Sequence, residues 1–130
     1  MNAPSVDIKD MLVAAGLSLT FATNLFVGKE PANPDDCTTI FDTPGRGPER
    51  FFNNDEGYFR PSIQIRVRNV SYLTGWALID AIKLRLHGAA QAVWNGTTYS
   101  AIFCSQEPAL LDWDQNSRAR FVATFEIQRF

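Results

Sequence analysis

Between residues 62 and 68 the chain alternates strictly. Ile63, Ile65 and Val67 occupy one set of positions, and Ser62, Gln64, Arg66 and Arg68 the other. A period of two with β-branched apolar residues predicts a half-buried strand. Pro61 stands at its first position, where a missing ladder donor costs least. The period then changes. Gly75, Leu78, Ile79, Ile82 and Leu86 gather on one face when residues are placed about 100° apart, predicting a helix from near Ser71 to Leu86. Ser71 suits its N-cap, Gly88 a left-handed stop, and Lys83, Arg85 and His87 the negative end of the helix dipole. This strand–helix unit, residues 60–88, is the core on which the other elements are expected to assemble.

The flanking segments read as a mostly antiparallel sheet. After Pro4, Ile8, Met11, Leu12 and Ala15 share one face of a short helix that Gly16 ends. Residues 17–27 turn extended, the Asn33-Pro34-Asp35-Asp36 turn follows, and 37–41 form a second strand expected to pair with the first as a hairpin or meander. Residues 43–59 carry prolines and glycines with Phe51, Phe52 and Tyr58, and predict a long flexible loop. Its aromatics either fold back onto the core or meet a partner. Asn95-Gly96 between 91–94 and 97–105 is a strong hairpin signal. Residues 109–117 read as a connection and 118–130 as a last strand, with Phe121, Ala123, Phe125 and Ile127 alternating. The expectation is one α+β domain spanning 1–130. It has a mixed, mostly antiparallel sheet of about five to six strands, one long central helix, and a short N-terminal helix packed on that helix.

Composition narrows the function classes. A formal charge of −2 gives no electrostatic reason for tight nucleic-acid binding, although Trp76, Trp94, Trp113 and the arginines are residue types that stack on bases. Two cysteines, Cys37 and Cys104, are too few for a disulfide scaffold and lack C-x-x-C spacing. The apolar run 11–26 has no positive flank, since Asp7 and Asp10 surround Lys9, so export and membrane spanning are not expected. Catalytic patterns fail one by one. His87 is the lone histidine, and the stretch around Ser18 lacks the second glycine of a nucleophile elbow. Cys37, His87 and Cys104 would need a fourth zinc ligand. Asp112-Trp113-Asp114-Gln115-Asn116 starts like a calcium loop, then places Ser117 where glycine belongs and Ala123 where the glutamate belongs. No enzyme, metal or cofactor is expected.

One feature points outward. The predicted helix carries a second apolar stripe, Leu73, Ala77, Ala81 and Leu84, roughly opposite the first. Either the N-terminal helix covers it through Ile8 and Leu12, or it meets another subunit. Leu73, Ala77, Ala81, Leu84, Phe51, Phe52, Tyr58, Arg66 and Arg68 are therefore the candidate subunit or partner contacts.

Several stretches, taken in order, resemble the siphophage tail-terminator and minor capsid protein family. They are Asp7-Ile8-Lys9-Asp10-Met11-Leu12, Asn24-Leu25-Phe26-Val27-Gly28-Lys29-Glu30-Pro31 and Thr38-Thr39-Ile40-Phe41-Asp42-Thr43-Pro44-Gly45. Arg60-Pro61-Ser62-Ile63-Gln64-Ile65-Arg66-Val67-Arg68, Ala81-Ile82-Lys83, Asn95-Gly96-Thr97-Thr98-Tyr99 and Phe125-Glu126-Ile127 follow. The resemblance implies a structural virion protein of a long non-contractile tail, assembled in the host cytoplasm. It would form a homohexameric ring at the head-proximal end of the tube, stopping polymerisation and presenting a surface to the head. Its implied partners are further copies of itself, the tail-tube protein and a head-side connector or stopper, with DNA only as cargo. No membrane partner, cofactor or catalytic residue carries over. The rivals are a head–tail joining or completion protein and, from a different class, a small ligand-binding or enzymatic domain.

Overall fold

The computed structural model describes residues 1–50, 57–89 and 91–130. The elements in chain order are α1 (Pro4–Ala14), β1 (Leu25–Val27), β2 (Cys37–Arg50), β3 (Gly57–Asn69), α2 (Tyr72–Leu86), β4 (Ala92–Trp94), β5 (Thr97–Cys104), β6 (Ala109–Trp113) and β7 (Ala119–Arg129). They build one mixed seven-stranded sheet in the order β1-β2-β3-β7-β5-β4, with β6 also paired to β7. β5 and β6 share one edge of β7 end to end, β5 along its C-terminal half and β6 along residues 119–122.

The alternation read from the sequence sets the register. Ile63, Ile65 and Val67 of β3 stand opposite Phe125, Ala123 and Phe121 of β7, and Ile40 of β2 stands opposite Ile65. These side chains share one sheet face and are buried there with Ile102 and Ile127. Ile8 and Leu12 of α1 and Ile79, Ile82 and Leu86 of α2 close over the same cluster. Burying each such aliphatic side chain stabilises the fold by about 1.5–3 kcal/mol. Ser71 caps α2 by accepting from the Thr74 N–H at 3.4 Å. Asn95 and Gly96 adopt φ of 51° and 79°, the left-handed pair that a two-residue hairpin requires.

Polar contacts fasten α1. Asp42 of β2 accepts from the Ser5 N–H at 3.0 Å and from Ser5 Oγ at 2.6 Å. An anion there meets the positive end of the helix. Asp7 is fully buried and accepts from the Tyr99 hydroxyl and, at 2.7 Å, from Asn95 Nδ2. Arg129 Nη1 lies 3.9 Å from Asp7 and donates to the Asn2 carbonyl at 2.9 Å. Burial and the bond to Asp7 push the Tyr99 hydroxyl well above its ordinary pKa, so it remains a donor.

Five expectations change. There is no long central helix: α2 has 15 residues and lies on one face of a sheet richer by β6 than expected. α1 does not pack on the outer stripe of α2; it packs on β1, β2 and β3. Its own apolar side chains are spent on the sheet, which offers the larger apolar surface. β1 and β2 pair in parallel, not as a hairpin, because the 28–36 connection carries the chain back to the start of a strand of only three residues. Residues 109–113 form β6 rather than a connection, because the open edge of β7 recruits them despite their lack of alternation. Of the 43–59 loop, 43–50 belong to β2 and 57–59 to β3. Pro44, Gly45, Gly47 and Pro48 sit at register shifts after Thr43 and after Arg46, where a ladder tolerates them.

Gly75 sets how closely α2 approaches the sheet. A Cβ there would lie 2.7 Å from Phe121 Cε2 and 3.2 Å from Asn69 Cβ. Tyr72 and Trp76 flank the same ring edge-on, with centroids 5.1 and 6.1 Å away. Gly75→Val should therefore lower stability by about 1–3 kcal/mol, as overpacking a tight contact does. Urea unfolding followed by circular dichroism measures this, and an unchanged midpoint would mean that α2 does not press on Phe121.

Candidate assembly surface

One face of α2 is spent on the core; the other is bare. Leu73 is 77% and Leu84 69% exposed, Ala77 is exposed and Ala81 half-buried. Only Thr74, Asp80, Lys83 and Arg85 interrupt the apolar surface of this helix. A helix apolar nearly all round belongs in a buried setting, which makes the bare face the candidate contact surface.

At the N-terminal end of α2 the bare face widens. Tyr72 stacks on Trp113 of β6 with centroids 6.4 Å apart, and Trp76, Leu110 and Leu111 are exposed beside them. Aromatic residues are the usual anchors of protein–protein contacts. Sequence reasoning marked Leu73 and Leu84 and gave Trp113 only a general core or interface role, but passed over Tyr72, Leu110 and Leu111. The signal was the apolar Ala109-Leu110-Leu111 run after Pro108, whose strand character shows only once β7 offers an edge.

The arginines are placed differently from the other candidates. Arg68 is buried and donates to Glu30 Oε1 at 2.9 Å, to the Pro34 carbonyl at 2.6 Å and to the Asp35 carbonyl at 3.1 Å. Arg118 pairs with Asp114 at 2.7 Å and with Asp35 at 3.2 Å, and Arg120 pairs with Asp112. Together they pin the 28–36 segment and the β6–β7 turn over the helix-free sheet face. Arg66 lies 5.0 Å from the Phe41 ring and bonds Gln64. Arg68 is thus a structural tie, buried and bonded within its own chain. Tyr58 is half-buried, bonded to Ser100 and stacked on Phe130 with centroids 5.8 Å apart. Phe51 and Phe52 lie outside the described residues. The structure brings Leu73, Ala77, Ala81 and Leu84 onto one surface and leaves Tyr58, Arg66 and Arg68 away from it.

The chemistry candidates dissolve into structural roles. His87 Nδ1 accepts from the Cys104 N–H at 2.9 Å, along the edge of β5. Cys37 and Cys104 are free thiols, and burial pushes both pKa values up, away from the reactive thiolate. Among the described residues, no group of three or more His, Cys, Asp or Glu side chains is placed to hold a metal ion. Among them also, no helix is long and apolar enough to cross a membrane. An apolar cleft of about 240 Å³ separates Met11 and Ala15 of the α1 end from Leu86, Trp94 and Ile102, without a set of converging polar groups.

A bare apolar face on a small α+β subunit is the geometry of an assembly part, and the sequence carries the matching signature. Residues 6–129 match the model of a family described as bacteriophage tail terminator protein. The chain belongs to the bacteriophage tail terminator family. It is accordingly a structural protein of the phage tail. No curated protein matches the chain by sequence. Among solved structures, a chain from a virion of a native gene transfer agent particle has the same fold. Its TM-score is 0.68 at 15% identity, covering 98% of this chain and 94% of that one. A second solved chain aligns with a TM-score of 0.51 at 12% identity, covering 98% and 92%. At such identities the likeness concerns the fold alone.

The ion pairs of this tail protein give it a predictable acid response. The bond from Arg120 holds the Asp112 carboxyl below its ordinary 3.8. For Asp114, desolvation pushes upward, but the backbone and side-chain bonds from Arg118 outweigh it and lower the pKa. A carboxyl with a depressed folded pKa contributes fully above its unfolded value. That contribution is lost as the pH falls through the folded value. Stability should therefore hold down to about pH 4 and drop below it. Asp112→Asn should cost less than about 1 kcal/mol at pH 7 and flatten the acid limb. Thermal unfolding from pH 7 to pH 2 tests this; a variant with an unaltered acid limb would refute it.

Proposed function

We propose that this tail protein is the subunit of a homohexameric ring that caps the head-proximal end of the tail tube. There it stops addition of tube subunits and offers its other side to a head-side connector, while DNA passes through the lumen as cargo. The observation that carries the reading is the bare apolar face of α2, Leu73, Ala77 and Leu84, on a chain of the tail terminator family. The fold likeness to a chain from a gene transfer agent virion supports a place in such a particle. A ring needs a heterologous contact in which one patch meets a different patch on the next copy, and six copies match a tube built of hexameric rings. Burying a Leu side chain contributes about 1.5–3 kcal/mol, repeated at every contact around the ring.

Leu84→Asp places a charge in that contact while leaving the core untouched, because Leu84 is 69% exposed. The variant should unfold at the temperature of the parent, remain monomeric, and fail to halt growth of purified tail-tube subunit. Light scattering and electron microscopy of tube lengths read these outcomes. A hexamer of the variant, or tubes capped as by the parent, would exclude the α2 face from the contact.

A further inference from the structure

Specific bonds cap parts of the sheet edges at β1 and β5. At the β1 end, both outward groups of Leu25 are taken: its carbonyl accepts from the Ala22 N–H at 2.9 Å, and its N–H donates to the Thr20 carbonyl at 3.2 Å. Along β5, the Ile102 carbonyl accepts from the Gly88 N–H at 2.8 Å and the Cys104 N–H donates to His87. Exposed strand edges invite pairing, and these caps prevent it. Among the described residues β6 pairs only with β7; its Leu110, Leu111 and Trp113 are exposed, as are Tyr72, which stacks on Trp113, and Leu73 and Trp76 of α2. Their exposed parts amount to roughly 600 Å² of mostly side-chain surface, comparable with one side of an interface of about 800 Å² per partner.

The opposite end of the sheet displays a knob. The turn after α1 is rigid: Asn24 Oδ1 accepts from the Thr20 N–H at 2.7 Å, and Asn24 Nδ2 donates to the Ser18 carbonyl at 3.0 Å. Two residues without the freedom of glycine, Ser18 and Ala22, hold φ of +60° and +67° in it. Left-handed backbone at an alanine costs free energy, and such strain concentrates at functional positions. What this turn displays is Phe21, 50% exposed, with Lys9 Nζ 4.6 Å above its ring.

We propose that Phe21 of one copy seats in the β6 patch of the next, around Leu111 and Trp113, and that this knob-and-socket contact gives the assembly its direction. The inference rests on the ring reading and names the two surfaces that would close the ring. Two observations favour a second copy as the occupant. Knob and socket lie at opposite ends of one sheet, the geometry of a head-to-tail contact. The socket continues the bare α2 face at Leu73.

The test uses the full chain with two variants, Phe21→Asp and Leu111→Asp, both at exposed positions. Light scattering, alone and with purified tail-tube subunit, should find an assembly for the parent and a monomer for each variant. Mixed one to one, the variants should give a species of twice the monomer mass and nothing larger, because only one intact knob and one intact socket remain. Phe21→Ser and Leu111→Ser replace any variant whose unfolding temperature falls. If either variant assembles like the parent, the knob-and-socket contact is wrong while the ring reading stands. A dimer of Phe21→Asp alone would mean sockets pair with each other, which also overturns it. A parent that stays monomeric even with tube subunit removes both.

Discussion

Everything in this protein is arranged around the β3–β7 pairing, which turns two alternating segments into one apolar plate. Val67 against Phe121, Ile65 against Ala123 and Ile63 against Phe125 all face the same way. Because the plate is apolar on one side only, both helices compete for that side. α1 takes the half over β1, β2 and β3, and α2 the half over β3, β7 and β5. Neither can cover the other's back. The exposed apolar outer face of α2 follows directly from this division.

Buried charge does a different job. The guanidinium of Arg68 satisfies carbonyls and a carboxylate that the 28–36 segment would otherwise bury without partners. Asp7 does the same for Asn95 and Tyr99, tying the N-terminal helix, the β4–β5 turn and the end of β7 to one carboxylate. Such ties add little net stability, since desolvation offsets the attraction, yet losing one partner is costly. They fix where loops and ends lie. For a part that must meet neighbours in one orientation, holding those peripheral segments in place matters as much as the core.

The same logic connects fold to assembly. Small subunits that act by position need unlike surfaces at defined places, and a sheet with distinct ends supplies them. Here a hydrogen-bonded turn before β1 bears the exposed Phe21 ring, and β6 carries exposed leucine and tryptophan side chains. Catalysis would ask for converging titratable groups. In this molecule the acids and arginines of the described residues converge chiefly on one another.

What the chain determined by itself is what depends on neighbours in sequence. The strand around Ile65, the helix from Tyr72 to Leu86 with its Ser71 cap, the Asn95-Gly96 hairpin and the last strand are all local period and turn chemistry. The second apolar stripe of α2 was legible for the same reason, since helical spacing alone defines it. The resemblance to tail terminators was legible because it rests on the order of such local pieces. The tertiary structure decided what depends on distant partners. Arg68 looked like a surface arginine by alternation, until the returning 28–36 segment enclosed it. β6 has no alternation of its own and exists because β7 has an edge to fill. The parallel pairing of β1 required the path of the connecting segment. Local pattern states which face of an element is apolar; only the packing of all the elements states which of those faces is left uncovered.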